Sequence, residues 1–195
     1  MSAGLILAAG GSRRMGFPKA LLRYREETFL DRLAGLFAAR CSPVIVVLGA
    51  EAERIRANGG PRGRPAATFV VNPDWARGQT TSMQCGLRAV PPEADGVLFT
   101  LVDHPAVRPA TIDALLAGSR ATLLRVPRYQ GRRGHPIWFS REIVPEFLAL
   151  PVSGAARDVV HGHAAQTEFL DVDDPGILAD IDDPEAYRGL TEGGA

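Results

Sequence analysis

The sequence predicts one α/β domain built on a mostly parallel, mixed sheet with helices on both faces. Three observations lead there. Short apolar runs punctuate the chain, stretches of helical spacing separate them, and the runs themselves are apolar almost without a break. Strands alternating with helices make right-handed βαβ units, and continuous Val/Ile/Leu runs suit a sheet covered on both faces. At 195 residues the chain fits a single domain, residues 1–195, large enough to bury its own core.

GLILAA at Gly4–Ala9 reads as the first strand, followed by PVIVVLGA at Pro43–Ala50, ATFVVN at Ala67–Asn72, GVLFTLVD at Gly96–Asp103 and ATLLRV at Ala121–Val126. Thr28–Arg40, Ser82–Val90 and Arg108–Ser119 carry apolar residues at helical spacing. After Val126 the rhythm changes, and HPIWF at His135–Phe139 reads as a strand outside the βαβ order, which makes the sheet mixed. NGGPRGRP at Asn58–Pro65 reads as a flexible loop rather than a domain linker, because a strand pattern resumes directly after it. TEGGA at the C-terminus is expected to fray.

Twenty-two basic residues balance twenty-two acidic ones, so bulk charge gives no reason to expect a nucleic-acid or membrane partner. Any anion-binding patch must be local. Cys41 and Cys85 form no CxxC pair, which excludes a zinc ribbon and argues against a disulfide scaffold. The N-terminus lacks a basic region ahead of its apolar run, and no run approaches the roughly 20 residues that span a bilayer. A cytoplasmic location is expected.

In an open α/β sheet, ligands bind beyond the carboxyl ends of the strands. LAAGGSRRMGFPKALL, Leu7–Leu22, follows the first strand directly. It is not a Walker A loop: Gly11 and Gly16 have the right separation, but Phe17-Pro18 precede Lys19 and no hydroxyl residue follows. Nor is it GxGxxG, since Gly10 is followed by Gly11-Ser12-Arg13. Gly10 and Gly11 still permit close backbone approach to an anion, with Arg13, Arg14 and Lys19 beside them. Residues alone leave open a plain glycine-rich turn with solvated cations.

Later segments have similar double readings. Asn72-Pro73-Asp74 is a turn ahead of a helix cap at Thr80 or Thr81. Asp103 ends a strand, where an aspartate is either a turn former or a hard oxygen ligand for Mg²⁺. Asp183-Pro184-Glu185 is a helix start, and Asp173-Asp174-Pro175 another capped turn. RYQGRRGHPIWF, Arg128–Phe139, is a tight reversal with solvated arginines unless Arg132, Arg133 and His135 meet an anion. His161 and His163, lacking a third ligand nearby in sequence, read as surface residues.

Taken together and in order, these segments resemble the MobA/MocA-like nucleotidyltransferases, the family of the molybdenum-cofactor enzymes. The loop is similar to LAAGxSxRMGxxKxLL, Val70–Leu87 to NPDWxxGMxxSLxxGL, Leu98–Val107 to the GDQP motif, Arg128–Phe139 to YxGxxGHPxxF and Asp180–Tyr187 to DIDTPEDL. The resemblance implies a three-layer Rossmann-like fold of the nucleotide-diphospho-sugar transferase type. It implies transfer of CMP from CTP to the phosphate of molybdopterin, with release of pyrophosphate. Leu7, Ala8, Ala9, Gly10, Gly11, Ser12, Arg13, Lys19, Asn72, Gly78 and Ser82 are then nucleotide-binding. Lys19, Arg13 and Asp103 are catalytic. Arg132, Arg133, Gly134 and His135 face the acceptor, with Arg157 a further contact. Asp103 and Asp182 hold Mg²⁺, with Asp180 the lesser ligand.

The chain also departs from the pattern. Gln79-Thr80-Thr81 stands where Met and small residues are commoner, Val102 replaces a glycine and His104 replaces Gln or Met. Ala9 adds a methyl beside the expected base, which favours a pyrimidine. Three rivals remain: a guanylyltransferase using GTP, a sugar- or lipid-phosphate nucleotidyltransferase, and a non-catalytic factor that delivers cofactor to a molybdenum hydroxylase apoenzyme.

Overall fold

The computed structural model describes residues 1–58, 67–118 and 121–192. Its strands are β1 (Ala3–Ala8), β2 (Arg23–Tyr24), β3 (Glu27–Thr28), β4 (Val44–Leu48), β5 (Thr68–Val71), β6 (Gly96–Leu101), β7 (Leu124–Tyr129), β8 (Arg132–Arg133), β9 (Ile137–Ser140) and β10 (Thr167–Asp171). Its α-helices are α1 (Phe29–Ala38), α2 (Ala52–Asn58), α3 (Gln79–Arg88), α4 (Pro109–Ala117), α5 (Val144–Ala149), α6 (Ala156–Gly162) and α7 (Pro184–Glu192). The sheet runs β10-β7-β9-β6-β1-β4-β5, with β8 paired to β7, while β2 and β3 form a separate small ribbon.

β1 lies parallel to β4 on one side and to β6 on the other. The connections therefore leave β1 in opposite directions, and a crevice opens at its carboxyl end, beyond Ala8. β9 runs antiparallel between β6 and β7, which makes the sheet mixed as expected. Alternation along β1 splits the core. Ile6 and Ala8 join Phe29, Leu33, Phe37 and Ile112 on the α1/α4 face. Leu5 and Leu7 join Met83, Leu87, Phe139 and Phe147 on the other. Three layers result, from strands too apolar to face water on either side.

Several boundaries differ from expectation. The third helix begins at Gln79 rather than Ser82, because Gly78 at φ +126° ends the preceding turn and redirects the chain. Thr80 and Thr81 thus lie inside the helix and do not cap it. The strand expected at 121–126 slides forward to Leu124–Tyr129, in register with β10 from Thr167↔Leu124 to Asp171↔Arg128. The loop expected at 58–65 begins at Asn58, the last residue of α2, and residues 59–65 lie outside the described residues. Ser119, the expected end of the Arg108–Ser119 helix, also lies outside them. At the C-terminus, Thr191 and Glu192 continue α7, and residues 193–195 are not among the described residues. Cys41 and Cys85 are both free thiols.

Candidate active site

The glycine-rich loop leaves β1 and folds on itself. Its sharp reversals fall at Ser12 (φ +45°) and Gly16 (φ +68°), not at Gly10 or Gly11. The cause is a closed turn: the Ser12 carbonyl accepts from Met15 N at 3.1 Å and Gly16 N at 3.0 Å. Ser12 Oγ also accepts from Lys19 N at 3.1 Å, which fixes where the lysine departs. Gly10 faces open space, and Gly11 packs beside the Trp75 indole.

Lys19 Nζ donates to Asp103 Oδ2 at 3.2 Å and makes a short contact with Asp182 Oδ1. Arg14 takes the other Asp182 oxygen. Burial opposes the lysine charge, but the Asp182 hydrogen bond and the Asp103 carboxylate outweigh it, so the Lys19 pKa is raised. The lysine hydrogen bond likewise holds the Asp182 carboxyl below its ordinary range, with Arg14 assisting. Asp180 behaves oppositely: burial and the like charges of Asp103 and Asp182 raise it. Acidic groups therefore converge here with one principal cation among them.

His104 follows Asp103 and is buried, with its Nε2 3.7 Å from Asp103 Oδ1. Burial, helped by Lys19, pushes its pKa down to about 4. His135 packs against it, ring centroids 4.9 Å apart, and burial followed by the His104 neighbour pushes it to about 4 as well. Both imidazoles are neutral near pH 7. Asp103 Oδ1, His104 Nδ1 and His135 Nδ1 are buried without a hydrogen-bond partner among the described residues.

Two clefts meet at this point. The first has a volume of about 220 Å³ and is lined by Leu7, Ala8, Ala9, Gly10, Ser12, Lys19, Ser82 and Asp103, all residues the sequence singles out. Trp75, Gln79 and Ile55 also line it; the sequence marks Gln79 only as a departure from the family pattern and gives Trp75 and Ile55 no role. Trp75 had a signal, since it completes Asn-Pro-Asp-Trp. Gly11, Arg13, Asn72 and Gly78 are not part of this lining. Asn72 acts from behind: its Nδ2 donates to Thr81 Oγ1 (2.9 Å) and Ser82 Oγ (3.0 Å), and its Oδ1 accepts from Asp74 N (3.0 Å). It thereby pins the turn to α3 and sets Ser82.

The second cleft, about 560 Å³, is lined by Arg133, Gly134, His135, Arg157 and His161 over an apolar floor that includes Phe99 and Val126. Arg132 is not part of this lining and is exposed on β8. Gln79 and Leu101 line both clefts. His161 and His163 diverge: His163 pairs with Glu146 and Gln166, each at 2.9 Å, while His161 turns to the cleft. They do not form a shared ligand pair.

A C-terminal strap joins the two clefts. Asp174, only 2% exposed, accepts from Arg108 N (2.8 Å), Thr111 Oγ1 (2.6 Å) and Gly176 N (2.9 Å). Downstream, Ile177 O accepts from His135 N at 3.0 Å, and Ile181 N donates to Asp103 O at 3.1 Å. Gly134 lies so close to the strap that an added Cβ would stand 2.2 Å from Ile177 O. The strap thus carries Asp180 and Asp182 to Asp103 while bracing the Gly134-His135 turn.

Residues 4–167 match the model of the MobA-like NTP transferase domain. The chain belongs to the MobA-like NTP transferase family. Among curated relatives, it is 33% identical to nicotine blue oxidoreductase of Paenarthrobacter nicotinovorans, covering 96% of this chain and 95% of that one. It is 32% identical to purine catabolism protein PucB of Bacillus subtilis, with 94% and 93% covered. Molybdenum cofactor cytidylyltransferase of Escherichia coli is 27% identical over 94% and 92%. The crystal structure of Rv0371c from Mycobacterium tuberculosis superposes with a TM-score of 0.86 at 35% identity, covering 97% of this chain and 96% of that one. Its complex with manganese gives 0.80 at 33% identity, with 97% of each chain covered. As a MobA-like chain the protein has the nucleotide-diphospho-sugar transferase architecture. Among the described residues, no helix is long and apolar enough to cross a membrane.

Proposed function

We propose that this MobA-like chain transfers CMP from CTP to the phosphate of molybdopterin and releases pyrophosphate. The observation that carries the reading is two clefts sharing one wall at Gln79 and Leu101, with Lys19 and Asp103 at the end of one of them. An oxygen of the acceptor phosphate forms a bond to the α-phosphorus while the bond from that phosphorus to the bridging oxygen breaks. Pyrophosphate leaves with the electron pair. A phosphate monoester is already an anionic nucleophile, so no general base is required, and the neutral His135 orients rather than deprotonates.

The chain's own residues supply position and charge. Ser12 fixes the loop, Ser82 and Ala9 border the nucleotide, and Trp75 offers an aromatic wall. Lys19 stands where charge builds on the departing phosphate, with Arg13 on the loop. Arg133, Arg157 and His135 face the acceptor. The donor set fits a divalent cation: Asp103 Oδ1 is buried without a hydrogen-bond partner, and Asp103, His104 and Asp180 offer ligand atoms within 4.8 Å of one another. Neutralisation of phosphate charge is what such an ion supplies when bound; the family resemblance implies Mg²⁺, and manganese is held by the Rv0371c complex.

The molybdenum link draws on the cytidylyltransferase relative. A second reading, a non-catalytic factor that carries cofactor to a molybdenum hydroxylase, is favoured by one finding: two similar relatives bear names that are not those of transferases. Pyrophosphate release with CTP, GTP and ATP against purified molybdopterin separates them. CTP-dependent release is the expected result. A GTP preference replaces cytidylyl with guanylyl transfer, and cofactor binding with no release under any nucleotide selects the carrier.

A further inference from the structure

We infer that the metal position of this chain is an imidazole-plus-two-carboxylate site, formed by Asp103, His104 and Asp180, that selects a first-row transition ion over Mg²⁺. The inference deepens the reading above and rests on it for the ion's task, not for its ligands.

The carboxylates sort themselves by what already occupies them. Asp182 spends Oδ1 on Lys19 and Oδ2 on Arg14, so it serves the site as a counter-ion. Asp103 gives only Oδ2 to Lys19, leaving Oδ1 buried and unpartnered among the described residues. No hydrogen bond or ion pair among the described residues engages the Asp180 side chain, which the strap brings to the Asp103 edge. Asp103, His104 and Asp180 then present one ligand atom each, all within 4.8 Å of one another, a separation that small side-chain rotations close around a single ion.

The deciding group is His104. It is 6% exposed, its Nδ1 has no hydrogen-bond partner among the described residues, and its Nε2 lies 3.7 Å from the same Asp103 oxygen that is left over. A buried imidazole nitrogen without a hydrogen-bond partner carries a desolvation cost that a metal bond removes. Mg²⁺ takes oxygen ligands and keeps much of its water shell. Imidazole nitrogen instead favours ions later in the first transition row, where affinity for a mixed nitrogen–oxygen site rises from Mn²⁺ towards Co²⁺ and beyond. One nitrogen ligand at this place therefore changes which ion is held without changing the fold.

The test uses the full chain and Mn²⁺ and Co²⁺ as probes. Electron spin-echo spectra of bound Mn²⁺ should show modulation from one imidazole nitrogen, and His104→Gln should abolish it. Calorimetric titration should show Co²⁺ binding at least about 100-fold more tightly than Mg²⁺, with the ratio falling about tenfold or more in His104→Gln. Asp180→Asn should weaken Mn²⁺ more than Asp182→Asn does. Mn²⁺ bound without nitrogen modulation, no Mn²⁺ binding at all, or a Co²⁺/Mg²⁺ ratio near unity overturns the inference. The wild-type spectrum decides by itself if His104→Gln fails to fold. Failure here leaves pyrophosphate release untouched, and absence of pyrophosphate release leaves the spectrum untouched.

Discussion

The two clefts are built from different materials. The smaller is made largely of backbone and fixed charge: the ends of β1 and β6, a loop closed on Ser12, and a lysine locked between two carboxylates. The larger has an apolar floor from the sheet and takes its cations from outside the sheet core, Arg133 from β8 and Arg157 from α6. A preformed charged slot suits a polyphosphate that always has the same shape. An apolar trough rimmed by arginines suits a bulkier partner with one anionic end. The difference separates a slot whose shape is set by closed turns and ion pairs from a trough whose charge comes from two peripheral side chains.

The contrast breaks most visibly if the two clefts fail to act separately. Lys19→Ala should lower the rate of pyrophosphate release about 100-fold or more, because it removes the charge beside the leaving group. Acceptor binding should survive it, and loss of both would merge the clefts into one site. Asp174→Ala should cost about 2–4 kcal/mol of stability in urea unfolding, since three donors lose a buried acceptor. That variant should injure both clefts together; damage to only one would sink the role given to the strap.

The histidine pair gives a pH effect with a definite sign. In the unfolded chain His104 and His135 titrate near 6.5, and in the fold near 4. The unfolded chain therefore binds protons first as pH falls, so their contribution is complete above about 6.5 and is lost between there and about 4. The urea midpoint of metal-free protein should fall across that window, and a flat profile would contradict the buried neutral pair. Arg157→Ala should then raise KM for the acceptor about tenfold while leaving KM for CTP unchanged. Smallest of all, Ala9→Gly should shift the CTP-to-GTP rate ratio towards GTP by less than about tenfold, the scale of a single methyl.

How much of this was legible in sequence follows from what each segment packs against. β1, β4 and β6 are buried on both faces and show as unbroken apolar runs, with boundaries off by only a residue or two. β10 was invisible: it is an edge strand with every residue at least partly exposed, so Thr167, Glu168 and Asp171 interrupt any pattern. Most of the loop and Asp103 were legible because they sit where strands end. Gly11 and Arg13 were assigned to the nucleotide, yet neither lines the first cleft. The role of Asp174 was not legible, because it depends on a distant segment folding back; Asp180 and Arg157 were reached only through the family resemblance, as a lesser ligand and a further acceptor contact. Asp174 looks like any capped turn until Arg108 and Thr111 are placed against it. His104 looked like a tolerated exchange until its nitrogen stood beside an unused carboxylate oxygen.

One contact reaches further than its size. Because Gly134 has no room between its own backbone and Ile177 O, the turn proposed to meet the acceptor and the strap whose Asp180 is proposed to meet the ion are packed directly together. Thermodynamic linkage then makes the two ligands confidants: whatever factor a bound ion adds to the acceptor's affinity, the acceptor must return to the ion. A side chain at position 134 would loosen that exchange from both ends at once.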